Sequence, residues 1–269
     1  MPNTTNQTGP YVVTANILAN LNPPVTDAKL FYSVDGSPFS QIPMTNTGGT
    51  SYSASIPGQP CPSSVRYYLS GTDNGAQTQT FPSSAPTANL KFIVGNVTTF
   101  FSDNMEGGTN GWTHGLIATQ DDWHISSQFG LNISGGKVGD PTTPAGTGTN
   151  VWGNDLGPNG WNGSYASNTN NWLRSPVLDL STASGTTLKF NRWLTVESGQ
   201  FDQARIRVNG TQVWINSTSG DLIDTSWVPV EIDISAIADG NPAVQIEWSM
   251  QSDGSVNFGG WNIDDVEVL

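Results

Sequence analysis

The stretch Ala204-Arg205-Ile206-Arg207-Val208-Asn209-Gly210-Thr211-Gln212-Val213-Trp214-Ile215-Asn216 sets two alternating runs on either side of Asn209-Gly210. A period of two places the apolar side chains of each arm on one face, and Asn-Gly readily takes the two positive-φ positions of a tight hairpin turn. Strands are therefore expected at Ala204 to Val208 and Gln212 to Asn216. The same reading extends outward to Leu188 to Val196, Val228 to Ile234, Val244 to Gln251 and Trp261 to Val268, all short and rich in β-branched or aromatic residues. The only helical candidate is a single turn, Ser235 to Ala238.

Towards the N-terminus the punctuation repeats. Lys29-Leu30-Phe31-Tyr32-Ser33-Val34 ends at Asp35-Gly36, Tyr52 to Ile56 stops at Pro57-Gly58, and Val65 to Ser70 stops before Asp73-Asn74-Gly75. A last strand is expected at Leu90 to Val94. About seven short strands at this spacing make a β-sandwich. Between residues 126 and 172 the chain is almost all Gly, Asn, Thr, Ser and Trp. A span this long exceeds an ordinary connection of about 4 to 6 residues, so it is expected to contain further short strands or an ion-pinned loop.

Composition divides the 269 residues in two. All ten Trp fall between Trp112 and Trp261, whereas five of six Tyr fall between Tyr11 and Tyr68. Up to residue 96 three acids balance three bases, so the remaining nineteen acids and six bases carry the whole net charge of −13. The expected organisation is a fibronectin- or immunoglobulin-like β-sandwich over 10–96 and a larger jelly-roll β-sandwich over 97–269. Residues 1–9, polar and unlike a signal peptide, are expected to be disordered or added for expression. So negative a surface repels nucleic acid and anionic membrane and favours divalent cations. The single cysteine, Cys61, cannot form an internal disulfide, which leaves packing and ions to hold the fold.

The first domain's succession of Leu30-Phe31-Tyr32-Ser33-Val34-Asp35-Gly36, Tyr52 to Gly58 and Val65 to Asp73 resembles the fibronectin type III-like modules appended to secreted bacterial hydrolases. In the second, Phe101-Ser102-Asp103-Asn104-Met105-Glu106-Gly107-Gly108, Gly111-Trp112, Leu173 to Ser181 and Gly259-Gly260-Trp261-Asn262-Ile263-Asp264-Asp265-Val266 resemble MAM-like jelly rolls. Such jelly rolls follow the catalytic domain of immune-inhibitor-A-like metalloproteases and other secreted peptidases, including zinc carboxypeptidases. The resemblance implies an extracellular accessory region whose partners are an upstream catalytic domain and an extracellular protein or glycan. It further implies calcium, with the opening Asp103 and Glu106 beside the closing Asp264 and Asp265. Strict alternation would send Asp264 and Asp265 to opposite faces, so both coordinate only if a bulge intervenes.

The residues themselves argue against catalysis here. A zinc hydrolase needs clustered His or Cys ligands, and the chain has only His114 and His124 with no His-Glu-x-x-His. A Ser or Cys nucleophile needs a base and no Gly-x-Ser-x-Gly elbow occurs. Two carboxylates suffice for a glycosidase, and Glu197 and Asp202 flank one turn, but nineteen acids make some such pair unavoidable. Calcium takes six to eight hard oxygens and suits loop-rich sites, so Asp140, Asn154 and Asp155 form a second candidate group. A glycan could instead stack on the loop-region indoles Trp152, Trp161 and Trp172, whereas Trp193, Trp214, Trp248 and Trp261 are expected in the core.

Overall fold

The computed structural model describes residues 1–127, 140–146, 148–156 and 162–269. The chain forms two units, Met1–Thr98 and Thr99–Leu269. It is all-β apart from one helical turn, and the named strand pairings are antiparallel throughout.

The first unit places β1 (Tyr11–Asn16), β2 (Val25–Val34), β3 (Ser40–Pro43), β4 (Thr45–Gly48), β5 (Ser51–Ile56), β6 (Ser63–Asp73), β7 (Thr78–Phe81) and β8 (Leu90–Val94) in two sheets. One runs β1-β5-β4, the other β3-β2-β6-β7 with β8 also on β6. Alternation does the sorting: along β6, Val65, Tyr67 and Leu69 are buried and join Tyr11, Leu30, Ile56 and Phe92 in one core. Asp35 and Gly36 adopt φ of 49° and 76°, the conformation their hairpin requires. Part of the segment 1–9 is tied to β8. Thr4 donates to Ile93 and accepts from Gly95, Asn3 Oδ1 accepts from Ile93, and the Met1 ammonium reaches the Tyr67 hydroxyl. Backbone and amide groups next to β8 thus give a polar segment partners that composition does not reveal.

The second unit contains β9 (Phe101–Asp103), β10 (Thr113–Ala118), β11 (Trp123–Ser126), β12 (Val151–Asn154), β13 (Asn170–Arg174), β14 (Leu178–Leu180), β15 (Thr187–Val196), β16 (Gln203–Val208), β17 (Thr211–Ile215), β18 (Leu222–Ile223), β19 (Val228–Asp233), α1 (Ser235–Ala238), β20 (Asn241–Val244), β21 (Ile246–Gln251) and β22 (Gly260–Val268). A seven-stranded sheet runs β11-β12-β22-β15-β18, with β19 on β15 and β9 on β22. A five-stranded sheet runs β10-β13-β21-β16-β17, and β14 pairs with β20. The β16–β17 hairpin turns at Asn209 and Gly210, with φ of 47° and 81°. The long low-complexity span contains β12 and the start of β13.

Between the sheets lies one aromatic core. Trp248 stands 5.6 Å from Trp112 and 5.5 Å from Phe190, and Trp261 meets Trp214 at 5.5 Å. Trp248 and Trp261 are fully buried, while Trp193 and Trp214 are half-buried. Two bulges interrupt the ladders. In β10 the pairing shifts between Leu116 and Ala118, so Ile117 has no opposite residue. In β22, Lys189 pairs Glu267 and Asn191 pairs Asp264, which leaves an extra residue where Asp265 turns to φ 50°.

Candidate functional site

The β22 bulge decides where the acids go. Trp261, Ile263, Val266 and Val268 enter the core, so Asn262 and Asp264 stand on the opposite face of the seven-stranded sheet. Asp140 and Ala145 lie against that face. Asp264 Oδ2 accepts from the Ala145 N–H at 3.0 Å, and Asp265 lies so close that a Cβ built on Gly146 would stand 2.5 Å from its Oδ2. Asp264 and Asp265 therefore serve the same segment rather than opposite faces, because the bulge cancels one step of alternation.

Glu106 pins the next stretch of the same segment. Its Oε1 accepts from the Thr149 and Asn150 N–H groups at 2.7 Å each, and its Oε2 accepts from the Thr149 hydroxyl and the Asn150 amide. Those backbone donors hold its carboxyl below the usual range. Asp103 works locally: Oδ1 accepts from the Met105 N–H at 2.8 Å, and Oδ2 from Trp112 Nε1 at 2.9 Å and the Asn110 amide. Asp103 and Asp265 both border a cleft of about 630 Å³ shared with Asn104, Lys189, Asn191 and Glu267. Replacing Asp103 with alanine strands a buried indole N–H, and about 1–3 kcal/mol of destabilisation is expected in urea unfolding.

Calcium ligands need lone pairs facing the ion. Of the four acids named by the MAM-like resemblance, Asp103, Glu106 and Asp264 have both carboxylate oxygens taken by N–H or O–H donors. Asp265 accepts from the Asn191 amide at 3.1 Å. These donors tie the acids to the neighbouring loop, and each engaged oxygen keeps a second lone pair.

The second group is different. Asp140 and Asp155 are 5% and 3% exposed, and the structure adds Asp122, 0% exposed. Burial pushes Asp140 up to about 8, against the Asn262 amide and with help from the Asp155 charge. Burial likewise raises Asp122 to about 6, with the same Asp155 charge contributing, and raises Asp155 itself. Asp155 Oδ2 accepts from the Asn162 and Ser164 N–H groups, and Asp122 Oδ2 from Ala166 and the Asn171 amide. Among the described residues, Asp122 Oδ1 and Asp140 Oδ2 have no donor. Each such buried acceptor costs about 1–3 kcal/mol if nothing satisfies it. Asn154, the third member of the expected group, accepts on its Oδ1 from the Trp261 N–H, structuring the β12–β22 junction.

Asp122 was not legible as a candidate because its neighbours arrive from 166–171, far along the chain. One signal does point to it. From residue 121 to 173 the only Lys or Arg is Lys137, which lies outside the described residues, so four aspartates there have scant basic company.

A third acidic group, Glu197, Asp202 and Asp253, has one ligand atom from each within 4.8 Å of the others. Asp202 is fully buried, receives the Tyr165 hydroxyl on Oδ2 and the Asp253 N–H on Oδ1, and is raised by burial. Its oxygens are engaged in holding the 165 and 253 loops together.

Two of the three candidate indoles are described. Trp152 is 1% exposed and belongs to the core, 6.4 Å from Trp112, which corrects its assignment to an exposed loop: it sits on β12, with its ring turned inward. Trp172 is half-buried, carries the Arg174 guanidinium 4.1 Å above its ring and meets the Gly115 backbone beside it. Trp161 lies outside the described residues. Both imidazoles are in structural use, His114 Nδ1 against Asp121 at 2.8 Å and His124 against the backbone carbonyls of Asp122 and Leu156.

No family model matches the chain. Over 173 residues, 64% of its length, it is 28% identical to Bacillopeptidase F of Bacillus subtilis (strain 168), and it spans only 11% of that protein. Among solved structures, a carbohydrate-binding module from the β-sandwich superfamily aligns over 98% of this chain and 94% of its own, with 16% identity and a TM-score of 0.36. The K1 cleaved adhesin domain of Lys-gingipain from Porphyromonas gingivalis W83 aligns over 64% of this chain and 98% of its own, with 15% identity and a TM-score of 0.40. Among the described residues no helix is long and apolar enough to cross a membrane.

Proposed function

We propose that this chain is a non-catalytic accessory region of a secreted bacterial peptidase, a binding and spacing element whose acidic second unit is stabilised by calcium. The observation that carries the reading is the alignment of 173 residues with only 11% of the length of a protein named as a peptidase, which suits a module set within a much longer chain. The engagement of both imidazoles in structural hydrogen bonds supports it, since proteolysis by a serine, cysteine or zinc mechanism needs a histidine or its equivalent at liberty. Calcium is supported by the net charge of −13 and by buried carboxylate oxygens without donors among the described residues.

The purified chain is expected to leave casein and soluble polysaccharides intact. Turnover of either by the chain alone, abolished by substitution within it, refutes the accessory reading. Saturating calcium binds only the folded state, so at about a hundredfold excess over Kd it adds about 2.7 kcal/mol, a rise of roughly 5–10 °C in the melting temperature of a unit this size. A melting temperature identical in calcium and in chelator refutes the calcium part.

A further inference from the structure

We infer that the outer face of the five-stranded sheet binds a carboxylate-bearing polysaccharide, with Arg205 and Arg207 as the groups that take its carboxylates. This rests on the reading of the chain as an accessory binding element and names the ligand class that element takes.

The ladder defines the face. Leu173 of β13, Trp248 and Met250 of β21, and Ala204, Ile206 and Val208 of β16 enter the core. Alternation therefore turns Trp172, Arg174, Glu247, Ser249, Arg205 and Arg207 to the other side. Register sets Glu247 opposite both Arg174 and Arg207, and Ser249 opposite both Trp172 and Arg205. The side chains make the contacts this placement allows. Glu247 Oε2 accepts from Arg174 Nε and its Oε1 from Arg207 Nη1, both at 2.8 Å, and Arg207 also donates to Ser249 Oγ at 2.9 Å.

Charge on this face runs against the rest of the unit. Beyond residue 96 nineteen acids face six bases, yet the five strands of this sheet hold three arginines and one acid, Glu247. Both oxygens of that acid are shared between Arg174 and Arg207. Arg205 Nη1 donates to Gln251 Oε1 at 2.9 Å and its Nη2 to Gln203 Oε1, and among the described residues it has no carboxylate partner. Two neutral amide oxygens thus fix the guanidinium and leave its charge unanswered. Burial, and then the like charge of Arg207, work against it, and an added carboxylate answers the second. A guanidinium held by neutral acceptors, with further N–H groups to spare, is pre-organised for a carboxylate.

The surroundings favour a polysaccharide over a protein. β13, β21 and β16 are each paired on both sides, so none offers an edge to an extended peptide. These three strands turn no aliphatic side chain outward, whereas a protein interface is built around an apolar centre. Gln203, Gln251 and Ser249 stand beside the arginines instead, amides and a hydroxyl suited to sugar hydroxyls. Arg174 caps the Trp172 ring at 4.1 Å, so charge rather than an open indole face selects the sugar.

Short oligomers of polygalacturonate, alginate and hyaluronate, each beside its methyl ester, test this by calorimetric titration, because acid and ester share a backbone and differ in charge. The unsubstituted chain is expected to bind at least one acid form about tenfold or more tightly than its ester. Arg205→Gln and Arg207→Gln, checked for folding by circular dichroism, should each weaken that binding by at least about tenfold. Lys189→Gln, on the seven-stranded sheet, should leave it unchanged. Equal binding of acid and ester, binding that survives both arginine substitutions, or tighter binding of polyglutamate than of any of the three sugars overturns the inference. So does the absence of binding to all three. None of these results touches the accessory reading, which falls to turnover of casein or polysaccharide by the chain alone.

Discussion

Trp248→Ala is expected to lower the unfolding free energy of the second unit by about 3–5 kcal/mol. Trp248 sits on β21, between β13 and β16 in the middle of the five-stranded sheet, and is fully buried against Trp112 and Phe190. Its indole nitrogen makes no hydrogen bond among the described residues, so the expected loss is one of packing and burial. These two neighbours come from separate parts of the unit, the loop before β10 and strand β15, and cannot both collapse into the space, which leaves a cavity rather than a repacked core. Urea denaturation followed by far-ultraviolet circular dichroism measures the effect. Trp248→Phe should cost less, and Val177→Ala, at a residue 63% exposed, should fall within about 0.5 kcal/mol of the parent. Equal effects for Val177→Ala and Trp248→Ala would mean that the two sheets do not share one cooperative core.

Arg192→Met is the second large change, at about 3–5 kcal/mol, because it abandons a buried partner rather than because the pair itself is strong. Arg192 and Asp224 have side chains only 13% and 9% exposed. Asp224 Oδ2 accepts from Arg192 Nε at 2.8 Å and from the Leu194 N–H at 2.9 Å, and Oδ1 accepts from Arg192 Nη2 at 3.1 Å. Removing the guanidinium leaves a carboxylate with one backbone donor in a site poorly reached by water. Arg192→Met combined with Asp224→Asn should recover most of the loss, since the amide keeps an oxygen for Leu194 and carries no charge. A double variant as unstable as Arg192→Met alone would show that the aliphatic stem of Arg192, not the unpaired acid, was responsible.

The sequence made the strands readable because alternation and turn chemistry are local. Asn209-Gly210 and Asp35-Gly36 turn where their side chains allow, and β16, β17, β19 and β22 begin and end within a residue or so of the expected positions. One expected strand, Val244 to Gln251, divides into the end of β20 and the whole of β21, because β20 pairs with β14 while β21 pairs with β13 and β16. That division depends on partners elsewhere in the chain. The acids were half readable for the same reason. Nothing near Asp265 announces a bulge, and alternation alone would have separated it from Asp264. Whether a carboxylate binds an ion or a loop depends on which N–H groups point at it. For Glu106 those donors are Thr149 and Asn150, more than forty residues away.

The bulge in β10 bears on behaviour at high concentration. This strand ends the five-stranded sheet, and it exposes Leu116 at 52% and Ile117 at 71%. A straight greasy margin of that kind invites another molecule to add its own strand and begin a ribbon. Here the extra residue is Ile117 itself, so an incoming strand that matched the chain up to Leu116 would fall out of step one residue later, and growth along this margin would stop before it started.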